Sequence, residues 1–185
     1  QTGDSFKDEK GKFYTGTSIT FLPSKSIFRD INFNLNIIEN RLRELAFLNP
    51  GIKIILSDQR TTEQKKIELK FNGGINEYVK YLNQNKNPIH TGPIYFDSKK
   101  ENVSVECSLQ WTDSYHENTL CFTNNIFQRD GGTHLAGLRG ALTRSVVNYI
   151  NQNLKNKFNV TGEDVREGLT CIISIKLPDP KFSSQ

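Results

Sequence analysis

The chain has 185 residues, of which 35% are hydrophobic and 24% charged, with a formal net charge of +4 and a mean hydropathy of −0.56. That fits one domain of ordinary size, or one domain with part of a neighbour, and it is globular if somewhat polar. No segment approaches the roughly 20 consecutive apolar residues of a membrane-crossing helix, and the mild positive charge permits attraction to nucleic acid without demanding it.

Methionine is absent, position 1 included, so the chain reads as processed or as a piece of something longer. It does not open with a secretory pattern. Cys107, Cys121 and Cys171 are odd in number and sit in apolar or strand-like stretches, so they read as reduced, buried thiols of a cytosolic protein.

Residues 1–12 are polar, with a solvated turn at Lys7-Asp8-Glu9-Lys10-Gly11-Lys12. Alternation over 16–22 predicts a strand, stopped by Pro23-Ser24. From Phe33 the period changes. Leu35, Ile38, Leu42 and Leu45 recur at spacings of three and four, predicting an amphipathic helix that ends near Asn49-Pro50-Gly51. Two short strands follow, 52–56 and 67–71, joined by a polar turn. Gly73-Gly74 then opens a shorter helix from Ile75 to about Asn83.

Val103–Trp111 is the clearest strand, with five apolar residues alternating with four polar ones, which predicts one buried face and one wet face. A strand over 119–123 is expected to pair with it across the turn at 113–118. A polar loop, 124–132, then leads into a helix of about twenty residues. Its apolar stripe is Leu135, Leu138, Leu142, Val146, Tyr149 and Ile150. Thr161 with Asp164 three residues on has the form of a capping box, and a last strand over 170–177 stops at Pro178 and Pro180. Paired strands mixed with helices predict an α+β fold with a mixed sheet.

A self-contained active site is not legible. His90, His116 and His134 are scattered, and no cysteines have CxxC spacing, so metal-ligand spacing is missing. The glycines of 132–139 lack the Lys-Ser/Thr of a phosphate loop and follow a polar loop rather than a strand. Two features need explaining. The loop 123–132 ends in Gly131-Gly132 immediately before a helix; it serves either as a lead-in with Thr133 as cap, or as a contact for a partner or neighbouring domain. Arg144 lies opposite the apolar stripe of the long helix, but Arg139 sits at the stripe's edge and must snorkel, pair with an acid or line a wet cavity.

The run Cys121-Phe122-Thr123-Asn124-Asn125-Ile126-Phe127-Gln128-Arg129-Asp130-Gly131-Gly132-Thr133-His134-Leu135-Ala136-Gly137-Leu138-Arg139 closely resembles the transducer signature of the gyrase B family of type IIA topoisomerases. Arg166-Glu167-Gly168-Leu169 and Lys176-Leu177-Pro178-Asp179-Pro180-Lys181-Phe182 do too, as do Arg41-Leu42-Arg43-Glu44-Leu45-Ala46-Phe47-Leu48-Asn49 and Gly73-Gly74-Ile75. Thr15-Gly16-Thr17 through Phe21-Leu22-Pro23-Ser24 resembles the closing strand of the family's GHKL-type ATPase domain. Phe127 departs from the pattern, where the family usually has Pro.

The resemblance implies a domain fold shared with a ribosomal small-subunit protein, with a mixed sheet and a left-handed βαβ crossover, against the usual right-handed rule. It implies that residues 1–24 are the tail of the ATPase domain and 25–185 a transducer domain. By position, Thr17 lies beside the adenine pocket, and Gln185 opens a Gln-Thr-Lys loop whose Lys senses the γ-phosphate. Arg139 matches the arginine lining the DNA-sized cavity between dimerised arms.

Implied with it are ATP and Mg2+ as cofactors, bound mainly by the upstream domain. Implied partners are double-stranded DNA, the gyrase A protein and a second gyrase B protein in an A2B2 heterotetramer, in the cytoplasm and without membrane. The implied activity is ATP-dependent negative supercoiling by double-strand passage. This region would turn rigidly against the ATPase domain when the γ-phosphate is lost, and its basic wall would hold a duplex without reading bases. The equivalent domain of the topoisomerase IV B protein is the alternative. A stand-alone RNA-binding module of the same fold would instead need a basic stripe with exposed aromatics, whereas acids and bases are interspersed here.

Overall fold

The computed structural model describes residues 6–7, 13–14, 16–17, 23–58, 60, 65–154 and 158–182. They fall into two compact units, Gln1–Asn34 and Leu35–Gln185. In the first unit β1 (Phe6–Lys7) pairs antiparallel with β2 (Phe13–Tyr14), and the Ile27 and Phe28 amides both donate to the Ser24 carbonyl in a turn. Of the strand expected over 16–22, Gly16 and Thr17 lie outside regular structure and the other residues lie outside those described.

The second unit opens with α1 (Leu35–Leu48), whose fully buried residues, Ala46, Phe47 and Leu48, are gathered in its last turn. Phe47 is stacked between Phe71, with ring centroids 3.7 Å apart, and Tyr78, at 4.6 Å. The Phe47–Tyr78 separation falls in the range where aromatic pairs add about 0.5–1.5 kcal/mol to area burial. Asn49 donates back to the Leu45 carbonyl, and Gly51 at φ +85° turns the chain out of the helix. The antiparallel hairpin of β3 (Lys53–Asp58) and β4 (Lys65–Lys70) follows. It is succeeded by α2 (Gly74–Leu82), where the Glu77 carboxylate accepts from the Gly73 amide.

The main sheet has five strands: β5 (Ile94–Lys100), β6 (Val103–Trp111), β7 (Asn118–Thr123), β8 (Ile126–Phe127) and β9 (Leu169–Lys176), in the order β5-β6-β9-β7-β8. β9 runs antiparallel to β6 and parallel to β7, so the sheet is mixed. The pairing of β7 with β6 expected from sequence does not occur. β9 carries buried side chains on both faces and takes the centre of the sheet between them, as strands buried on both faces do. The short 113–117 link looks like a hairpin turn but leads past an intervening strand.

Between β7 and β9 run β8, the 22-residue α3 (Gly132–Asn153) and the short α4 (Gly162–Arg166). Thr161 and Asp164 form the expected capping box. α3 begins differently from the expectation: its cap is Gly131 and no side chain caps it, so Thr133 is not the cap.

Both faces of the sheet's central strands are covered. Phe122 and Ile172 pack with Phe47, Leu48, Ile75, Tyr78 and Val79 on one face. Cys107, Cys121, Cys171, Leu109 and Ile173 pack on the other, against Leu135, Leu138 and Leu142 of α3. The wet face expected of β6 is therefore buried too, Ser108 and Gln110 being 0% and 4% exposed. Those groups remain polar because they are hydrogen-bonded. Ser108 donates to Asn76, the Asn83 amide donates to Gln110, and Thr170 donates to Asn83. The α3 stripe is shorter than expected: Tyr149 is 66% exposed.

Candidate functional site

Arg139 stands on the sheet side of α3 and reaches Glu117, at the foot of β7. Its Nε and Nη2 both donate to Glu117 Oε1, at 3.1 and 2.9 Å, and the Thr119 hydroxyl donates to the same oxygen at 2.8 Å. The other oxygen, Oε2, accepts from Arg166 Nε at 3.0 Å. One carboxylate thus serves two guanidiniums, leaving the trio with one net positive charge. Burial alone pushes the Glu117 carboxyl up, but hydrogen bonds from Arg139, Thr119 and Arg166 outweigh it and hold its pKa below the ordinary value.

The three side chains differ in access. Arg139 is 43% exposed, Arg166 18% and Glu117 20%. Local packing frames the cluster: Thr143 Oγ1 donates to the Arg139 carbonyl, and a Cβ added at Gly162 would lie 2.9 Å from Arg166 Nη1 and 3.1 Å from Thr143 Oγ1. Of the three fates open to Arg139 in the sequence, the structure gives it an acid partner and partial exposure together. Sequence reasoning missed Glu117 and Arg166 as its partners; no spacing signal links positions 117, 139 and 166.

The loop 123–132 contains a hairpin that sequence reading did not anticipate. Asn124 and Asn125, at φ +48° and +65°, make a two-residue turn between β7 and β8, the conformation that asparagine tolerates better than other non-glycine residues. The Asn124 carboxamide exchanges two hydrogen bonds with Leu177, donating at 2.8 Å and accepting at 2.9 Å. Asn125 donates to Asn49 on the far side. The turn thereby clamps the tail that follows β9. Between β8, the start of α3 and that tail lies a cleft of about 820 Å³, bordered by Phe127, Arg129, His134, Lys181 and Phe182. Burial pushes the His134 pKa down, and its Nε2 is buried with no hydrogen-bond partner among the described residues.

The three cysteines are free and buried. Cys107 Sγ and Cys171 Sγ are 3.7 Å apart, and burial pushes the Cys121 thiol up to about 11. Burial of this kind keeps the Cys121 thiol protonated, as a packing group. Thr17 is exposed, and Gln185 lies outside the described residues. Among the described residues no three His, Cys, Asp or Glu side chains gather where they could hold a metal ion. No helix is long and apolar enough to cross a membrane, again among the described residues.

Residues 74–185 match the family model described as DNA gyrase B. The chain is 51% identical over 176 residues to the DNA gyrase B protein of Rickettsia bellii, covering 92% of this chain and 22% of that protein. It is 49% identical over 178 residues to the DNA gyrase B protein of Caulobacter vibrioides, covering 95% of this chain and 22% of that protein. The chain therefore spans about a fifth of the length of these relatives. Among solved structures, it resembles the 43K ATPase domain of Thermus thermophilus gyrase B in complex with an aminocoumarin. The TM-score is 0.75 at 31% identity, covering 87% of this chain and 44% of that one. A topoisomerase IV ATP-binding domain from Francisella tularensis shares the fold, with a TM-score of 0.69 at 24% identity, covering 88% of this chain and 44% of that one. With the matched stretch taking in α2, all five strands of the main sheet and the whole Glu117–Arg139–Arg166 cluster, this chain belongs to the DNA gyrase B family.

Proposed function

We propose that this chain is the part of a gyrase-type B protein that couples ATP hydrolysis to movement of the DNA gate and lines the cavity through which a duplex passes. The observation that carries the reading is Arg139: half-exposed, fixed by Glu117, and set in a stretch that matches the DNA gyrase B family. In the intact protein the reaction is ATP-dependent negative supercoiling of double-stranded DNA, carried out in the cytoplasm by two gyrase B proteins with two gyrase A proteins.

Residues 1–24 are assigned to the end of the GHKL ATPase domain and 25–185 to the transducer. Thr17 is assigned to the adenine side of the nucleotide pocket and Gln185 to the γ-phosphate side. ATP and Mg2+ are assigned mainly to the ATPase domain and to the sensing lysine of the Gln-Thr-Lys loop. This chain's own contribution is mechanical and electrostatic. A sheet packed on both faces moves as one body, because a close-packed core does not deform continuously. The Asn124–Leu177 clamp ties the tail leading towards Gln185 to that body, so displacement at the tail is passed to the sheet. Arg139 attracts backbone phosphate without reading bases.

Arg139→Gln in the intact protein tests the reading. Duplex-stimulated ATP hydrolysis is expected to fall more than basal hydrolysis. Equal loss of both would place Arg139 in folding.

A further inference from the structure

We infer that Glu117 is a positioning residue that fixes the Arg139 guanidinium side-on and so presents its outer edge to a nucleic-acid phosphate; this rests on the reading of Arg139 as a DNA-cavity residue. A guanidinium has a side edge, Nε with one Nη, and an end edge formed by the two Nη groups. Here the side edge is used up: Nε and Nη2 both meet Glu117 Oε1. Nη1 takes no hydrogen bond among the described residues, and the side chain keeps 43% of its exposure. What remains open is the end edge, which suits the bidentate geometry of a phosphate.

The carboxylate is itself held so that it cannot swing. Arg166, far less exposed, occupies Oε2, and Thr119 shares Oε1 with Arg139. Gly162 leaves the room that the Arg166 guanidinium needs. Glu117 therefore gives up the freedom of the Arg139 side chain before any phosphate arrives, while Arg166 restores the positive charge that Glu117 removes. An acid alone would mask Arg139. With Arg166 beside it, the acid aims Arg139 and the site stays cationic.

The test is ATP hydrolysis by the intact gyrase B protein together with gyrase A, measured with and without linear duplex DNA, for Glu117→Gln, Arg139→Gln and the double variant. Glu117→Gln makes the site more positive, so simple electrostatics would strengthen DNA stimulation. Positioning requires the reverse: stimulation falls several-fold towards the Arg139→Gln level, and the double variant is no worse than Arg139→Gln alone. Glu117→Asp keeps the charge on a shorter arm, guards against misfolding of the amide variant, and is expected to lose stimulation in part.

A purely structural role would lower basal and stimulated rates in the same ratio, which would overturn the inference. Undiminished stimulation in both Glu117 variants would overturn it as well, as would losses that multiply in the double variant. If Arg139→Gln itself leaves stimulation intact, the DNA-cavity reading fails instead.

Discussion

A single methyl group added at Gly168 is placed where the backbone cannot yield. Gly168 is buried at φ +71°, and a Cβ there would lie 2.3 Å from the Thr112 carbonyl oxygen and 2.7 Å from that of Ser114. Holding an L-residue in the left-handed region costs about 1–2 kcal/mol. Relieving the clash means separating residues 112 and 168, which are joined by the Thr112 amide and hydroxyl donating to the Gly168 carbonyl at 2.9 and 3.1 Å. Losing those bonds costs about 1 kcal/mol each.

Gly168→Ala is thus expected to lower stability by about 3 kcal/mol, or roughly 6–12 °C in melting temperature for a domain of this size. Thermal unfolding of this chain followed by circular dichroism reads the change. Gly137→Ala is the control: it lies within α3 with no described residue within 4 Å of its added Cβ, so it should gain up to about 1 kcal/mol. A Gly168→Ala loss below about 1 kcal/mol, or a shift equal to that of Gly137→Ala, would mean that the backbone at Thr112 and Ser114 yields to the added methyl at little cost.

The same cluster that fixes Arg139 predicts a pH dependence. Glu117 has a lowered folded pKa, so its contribution is fully present above the unfolded glutamate pKa of about 4.3 and is lost as pH falls through the folded value; Glu117→Gln should flatten that acid limb of an unfolding titration, and an unchanged limb would exclude the carboxylate from it. Cys107, Cys121 and Cys171 are buried, with Cys121 pushed up to about 11, so the native chain should show no fast-reacting thiol at mildly alkaline pH and all three on denaturation; rapid labelling of any one without denaturant would contradict the packing of β6, β7 and β9. The chain alone is expected to hydrolyse no ATP, because the proposed function assigns nucleotide chemistry mainly to the ATPase domain and the sensing lysine; turnover that survives repurification would be incompatible with that division of labour.

Local patterns read well from sequence where the periodicity is local. The spacing of Leu35, Ile38, Leu42 and Leu45 located α1, the alternation across Val103–Trp111 located β6, and Thr161 with Asp164 located the start of α4. What the pattern could not carry was anything fixed by distant partners. β5 lies on an edge with every residue exposed, so it shows no apolar period to detect.

The placing of β9 between β6 and β7 depends on which strand buries both faces, and adjacent strands in sequence give no sign of it. Alternation in β6 suggested a solvated face because serine and glutamine usually mean water. Here Asn76 and Asn83 of α2 and its end supply the hydrogen bonds instead. At the site, the edge position of Arg139 on its helix signalled that it needed an acid or a cavity. It did not signal Glu117, 22 residues away and held by Arg166 from a third element.

Whether Arg139 meets a duplex backbone is read from the salt dependence of duplex binding by the intact protein. Each Arg139 that neutralises a phosphate releases a counterion, so Arg139→Gln should make the plot of log affinity against log salt shallower by about 0.9 per arginine engaged. The loss should be the same for duplexes of unrelated sequence, as backbone contacts require. An unchanged slope, with affinity intact across the salt range, would contradict the account and leave Arg139 as no more than a structural partner of Glu117.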